Sequence, residues 1–259
     1  MELKNLVTFG VFVVILGTVS AYHVSDSSSR LIGGANAFPG QFPHMVSLRT
    51  AQGAHFCSGS LVSVSWAVTS AHCTQGRANN GITVVAGSVR LSLGGERRQS
   101  QNVVTHPNFN ANTMAYDIGM VHTATAFPIT TNIRPIAMGN GTLGTGVTAT
   151  LVAWGHTSYP GGQLLDSLQW LFVRTITNAN CRSQVPDMDA SFVHDNTVCT
   201  TREAPGMGLC IGHYGGSLLV GNTLAAVSSW HIGCAVGYPD NHARVASHIP
   251  WIHSTIMGG

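Results

Sequence analysis

Cys210-Ile211-Gly212-His213-Tyr214-Gly215-Gly216-Ser217 opens onto Leu218 to Trp230, a run rich in β-branched and aromatic residues that reads as strand. The same texture extends upstream. His55 to Val68, Ile82 to Leu91 and Val147 to Trp154 alternate in polarity, and Leu168 to Ile176 is again β-rich. Gly94-Gly95, His106-Pro107-Asn108, Gly139 to Gly146 and Tyr159 to Gly162 separate these runs at short intervals. Many short strands between turn clusters predict an all-β sandwich or barrel rather than a βαβ protein. One helix is expected at the C-terminal end, where Ile249, Ile252 and Ile256 share a face and Pro250 suits a first turn.

Composition narrows the function classes. Of 259 residues, 44% are apolar and 8% charged, with 12 Lys+Arg against 10 Asp+Glu. An apolar, Gly-rich chain is not disordered. A net charge of +2 without a basic run gives little counterion release, so no nucleic-acid partner is expected. The 30 Gly and 10 Pro argue against a coiled coil. No apolar run is long enough to span a membrane, so no membrane partner is expected either. The 13 histidines outnumber either sign of fixed charge, which makes net charge sensitive to pH between about 5 and 7.

Residues 1–21 read as a signal peptide: Lys4 is the positive flank, Leu6 to Val19 is apolar, and Val19-Ser20-Ala21 offers small residues for cleavage. Secretion to the extracellular space is the expectation. Residues 22–30 form a short polar segment ending in Arg30, and residues 31–259 form the folded domain. The even set Cys57, Cys73, Cys181, Cys199, Cys210 and Cys234 fits an oxidising compartment, and spacing alone leaves all 15 pairings open. Asn140-Gly141-Thr142 is a glycosylation sequon on a turn.

Three strings in order carry a specific likeness: Val68-Thr69-Ser70-Ala71-His72-Cys73, Asp117-Ile118-Gly119-Met120-Val121 and the Cys210 to Ser217 string. With Arg30 before Leu31-Ile32-Gly33-Gly34, the chain resembles the trypsin/chymotrypsin family of secreted serine peptidases over nearly all of residues 31–259. Cys57-Ser58-Gly59-Ser60-Leu61, Ala153-Trp154-Gly155, Ser229-Trp230 and Pro250-Trp251-Ile252 add to it. The resemblance implies two packed six-stranded antiparallel β-barrels with a cleft between them and a C-terminal helix. It also implies the pairings Cys57–Cys73, Cys181–Cys199 and Cys210–Cys234. The family's reaction runs through a serine nucleophile, a histidine base and an aspartate that orients the base. His72 matches the base and Asp117 the orienting acid.

The departures from that pattern lie close together. The nucleophile position holds Tyr214, and the backbone N–H groups of Gly212 and Tyr214 match the oxyanion hole. A phenol oxygen on a rigid ring lies far from where a serine hydroxyl would attack, and reaction geometry tolerates errors of only about 1 Å. His213 stands where the family has the aspartate that pairs with the new amino group freed by cleavage, here at Leu31. The specificity pocket has Gly208 at its floor, hence no charge there, with His231 where a glycine usually admits a side chain. Asp240 and His242 are expected at its rear.

These features point to a secreted homologue that keeps the fold, lacks the nucleophile and acts by binding. Its expected partners are proteases, protease inhibitors or protein substrates, and the chain is expected to be a monomer. The competing class is an enzyme with residual or altered endopeptidase activity. A second competing reading gathers His213, His231 and His242 with Asp240 into a metal-binding or pH-sensing pocket. Their spacing matches no metal motif, so no metal and no cofactor are expected.

Overall fold

The computed structural model describes residues 34–141, 143–158, 162–202 and 207–258. The signal segment 1–21, the segment 22–30, Arg30, Leu31 and Thr142 of the sequon lie outside these residues; Asn140 is exposed. Two closed barrels account for most of the chain. The first contains β2 (Met45–Arg49), β3 (His55–Leu61), β4 (Trp66–Thr69), β5 (Thr83–Ala86), β6 (Glu96–Thr105) and β7 (Gly119–Thr123), in the order β2-β3-β4-β7-β6-β5. Antiparallel pairing of β2 with β5 closes it. The second contains β9 (Thr148–Ala153), β10 (Gln169–Ile176), β11 (Thr197–Thr201), β12 (Ser217–Val220), β13 (Thr223–Trp230) and β14 (Asp240–Arg244). Its order is β9-β10-β11-β14-β13-β12, and pairing of β12 with β9 closes it. Two short strands flank this second barrel: β1 (Ala35–Asn36) pairs with β10, and β8 (Ala137–Met138) runs parallel to β13.

The helices are small. α1 (Ala71–Thr74) follows β4, while α2 (Asn178–Gln184) and α3 (Asp187–Ala190) precede β11. α4 (Ile249–Gly258) ends the described chain and buries Ile252 against the core, with Ile249 and Ile256 packed beside it. The three isoleucines thus face one way, as their spacing predicts.

The barrels join through a shared apolar core. Met45, Trp66, Val68, Ile118 and Met120 from the first barrel meet Val152, Trp154, Leu224, Val227 and Ala243 from the second. Small polar residues stitch the same seam. Ser60 Oγ and Ser217 Oγ are 2.6 Å apart, Ser70 Oγ donates to the Ser228 carbonyl at 2.6 Å, and the Ser58 amide donates to the Tyr214 carbonyl at 2.8 Å. Buried hydroxyls satisfied in this way stabilise modestly, but each costs far more if left without a partner. The disulfides are Cys57–Cys73, Cys181–Cys199 and Cys210–Cys234, the pairing the resemblance implies.

Gly215 and Gly216 have a steric reason. A Cβ on Gly215 would lie 2.1 Å from the Ser58 carbonyl oxygen and 2.3 Å from Thr69 Oγ1, and its φ is 71°. One on Gly216 would lie 2.7 Å from Ala153 Cβ. The loop before β12 therefore lies flat on both barrels only because these positions carry no side chain. Gly215→Ala is expected to lower stability by on the order of 3 kcal/mol, since both strain and clash oppose it. Gly221→Ala has φ 56° but open space around it, and should cost only about 1 kcal/mol. Equal costs for the two in denaturant titrations would show that the close approach at Gly215 is not rigid.

Candidate active site

The site is assembled where the barrels meet. Ser70 follows β4 as the N-cap of α1, which carries His72 next to the Cys57–Cys73 bridge. Asp117 precedes β7, and Ser229 lies on β13. Asp117 is 1% exposed and accepts from the His72 backbone amide at 2.9 Å, from His72 Nδ1 at 2.8 Å and from Ser229 Oγ at 2.5 Å. With its Nδ1 proton on the carboxylate, the His72 ring keeps the Nε2 lone pair free. That atom is buried and has no hydrogen-bond partner.

Tyr214 explains the missing partner. Its ring lies perpendicular to the His72 ring with centroids 4.8 Å apart, and packs against the core of the first barrel. The phenol forms no hydrogen bond with His72 among the described interactions. Burial pushes the Tyr214 hydroxyl above its ordinary pKa of 10, so the phenolate is disfavoured at neutral pH. On its other side Tyr214 stacks with His231, whose ring centre is 5.8 Å away at an interplanar angle of 14°. Tyr214 thus contacts both the His72 and the His231 rings. The Ser217 hydroxyl is engaged with Ser60 Oγ and Met45 Sδ.

His213 is 1% exposed and folds back on its own loop, with Nδ1 2.8 Å from the Cys210 amide nitrogen. Its ring rests on Gly155, where a Cβ would come within 2.5 Å of it. Burial pushes its pKa down to about 3, so a neutral imidazole sits here. Gly212 adopts φ 87°, and the amides of Gly212 and Tyr214 make no backbone hydrogen bond among the described residues.

At that position the chain matches known proteins over nearly its whole length. The trypsin family model matches residues 31–252. The chain is 31% identical to a trypsin of Xenopus laevis, over 96% of this chain and 98% of the relative. It is 31% identical to trypsin alpha of Drosophila melanogaster, over 98% of each, and 30% identical to trypsin I-P1 of Gallus gallus, over 96% and 98%.

The chain belongs to the trypsin family.

Within that family frame one expectation needs correction. Gly208 was expected to leave the pocket floor uncharged. Instead the Arg202 guanidinium lies over Gly208 and pairs with Asp240 at 3.1 Å. The sequence reading missed Arg202 because it arrives from the end of β11, outside every quoted motif. His242 is fully buried between Thr200 Oγ1 at 2.8 Å and Ser228 Oγ at 3.4 Å, and packs inside the second barrel. Of the expected histidine group, His231 lies within electrostatic reach of His213 and Asp240, while His242 is influenced by burial alone. Among the described residues, the only three metal-capable side chains whose ligand atoms lie within 4.8 Å of one another are Cys57, His72 and Cys73. Two of these are spent in a disulfide. No helix among the described residues is long and apolar enough to cross a membrane.

The buried histidines have a measurable consequence. Burial lowers His213, His242 and His55 to about 3, and His44 and His248 to about 4, from 6.5. The unfolded chain therefore binds more protons below pH 6.5. Stability from these groups is complete above about 6.5 and falls as pH drops toward their folded values. The loss should reach roughly 1–2 kcal/mol per buried imidazole by pH 5. Denaturation midpoints should fall between pH 7 and 5, and His242→Gln should flatten that slope. A midpoint that rises on acidification would contradict the assignment.

Proposed function

We propose that the protein is a secreted trypsin-family member without peptidase chemistry, which acts as a monomer by binding proteins. Its partners in this reading are protease inhibitors or substrates, held as by a decoy, or proteases that it assists. The observation that carries the reading is the Tyr214 ring against His72. The base keeps its orienting acid, yet its Nε2 faces no hydroxyl from which to take a proton. Triad members act as a unit, so losing the nucleophile removes nearly all of the acceleration.

His213 supports the same reading. A buried ammonium at Leu31 would find a neutral imidazole there rather than a carboxylate, and burying an unpaired cation is costly. Cleavage after Arg30 would therefore not order the Gly212 and Tyr214 amides into an oxyanion hole. Secretion is supported by the signal-like segment 1–21 and by three disulfides.

A fluorophosphonate probe should leave the mature protein unlabelled. Labelling abolished by Tyr214→Phe would overturn the reading in favour of an active enzyme. Tyr214→Ser with His213→Asp should restore measurable amidase activity toward substrates whose side chain does not enter the space over Gly208. Recovery of co-purifying inhibitors or proteases from the secreted fluid would identify the partner.

A further inference from the structure

The space over Gly208 is filled from within the chain. Arg202 follows β11 and turns its guanidinium over Gly208, whose φ is 132°. A Cβ on that glycine would lie 2.2 Å from Arg202 Nε and 2.6 Å from its Cζ. The planar cation thus rests on a bare Cα, in space that any other residue at 208 would take. Nη2 donates to the Tyr238 carbonyl at 2.8 Å and to Asp240 Oδ1 at 3.1 Å. The second carboxylate oxygen accepts from the Leu209 amide at 3.0 Å. The two side chains are only 5% and 1% exposed.

His231, which stacks on Tyr214, is within electrostatic reach of both Asp240 and Arg202. Yet the ion pair is not built as a strong brace. A guanidinium fork binds a carboxylate best through two parallel bonds. Here one nitrogen serves both acceptors, and Nε is buried without a partner. A buried pair of this quality contributes little stability in its own right. What it does accomplish is to neutralise a fully buried acid and to occupy the volume over Gly208.

We propose that Arg202 is an internal occupant of the pocket, standing where the guanidinium or amidinium group of a ligand would otherwise meet Asp240. The pocket is thereby specific for planar monocations and already taken by one. A partner protein that presents a basic side chain would be refused there, and must be held by the rim of the cleft instead. This goes beyond the loss of chemistry at Tyr214, because the plug would exclude such a side chain even from a chain with a serine at 214.

The test opens the mouth and then removes the plug. Benzamidine binding is measured by calorimetry on His231→Gly, on His231→Gly/Arg202→Ala, and on the latter with Asp240→Asn added. Binding is expected only in the double variant, at least about tenfold tighter than in the other two. Equal binding by His231→Gly alone, or none by a folded double variant, would overturn the proposal. A second measurement needs no variant. Phenylglyoxal should modify Arg90, whose side chain is 56% exposed, and spare Arg202 in the native protein. Modification of both at the same rate would show Arg202 to be free and end the proposal. Neither result depends on fluorophosphonate labelling, so the plug and the chemical inertness of Tyr214 fail separately.

Discussion

Asp117 is a carboxylate removed from water, and such a group is tolerated only when its lone pairs are used. Its donors come from different parts of the fold: the backbone and ring of His72 in the first barrel, and the hydroxyl of Ser229 in the second. The acid therefore fixes how α1 sits and how β13 approaches it. The neighbouring bonds from Ser70 to Ser228, Ser58 to Tyr214 and Ser60 to Ser217 depend on the same approach. If one donor is lost, a buried charge is exposed to an incomplete site, which is among the costlier defects a core can hold.

That constraint changes how the surviving His72 and Asp117 are to be weighed. Two members of a catalytic triad in good geometry look like evidence of catalysis. Here they are also parts of the barrel seam, since the His72 amide and Ser229 use the carboxylate whether or not a nucleophile is present. Positions 213, 214 and 231 carry no such duty toward the seam through their side chains. The Tyr214 carbonyl holds Ser58, but any residue supplies a carbonyl. Removing the His72 or Asp117 side chain would therefore disturb the seam directly, which the side chains at 213, 214 and 231 do not join by hydrogen bonds.

Much of this was legible in the chain. Turn clusters and alternating runs marked β3, β4, β5, β9, β10, β12 and β13, but not β2, β6, β7, β11 or β14, and the isoleucine spacing marked the face of α4. The close approach of Gly215 to the Ser58 carbonyl came only from the structure. The contacts of Tyr214 with His72 and His231 were legible only as a neighbourhood, because sequence places residues on a scaffold but does not set χ angles. Arg202 was not legible at all. It reaches Gly208 through a side chain rather than the backbone, from the far end of β11, and no local pattern marks the long reach of an arginine stem.

The low charge of the chain acquires a physical meaning at this point. Buried polar positions here are held by Ser, Thr and neutral His: His44, His213, His242 and His248 are all buried. Neutral groups of this kind avoid the desolvation cost of an ion. Arg49, Asp117 and Asp240 are buried charged residues, and the Arg202 side chain beside Asp240 is only 5% exposed. Asp117 is held by donors of the barrel seam, whereas the Arg202–Asp240 pair lies over Gly208 and serves no seam contact. The seam is satisfied without that pair, so its presence is better understood through what it keeps out of the pocket than through what it adds to the core.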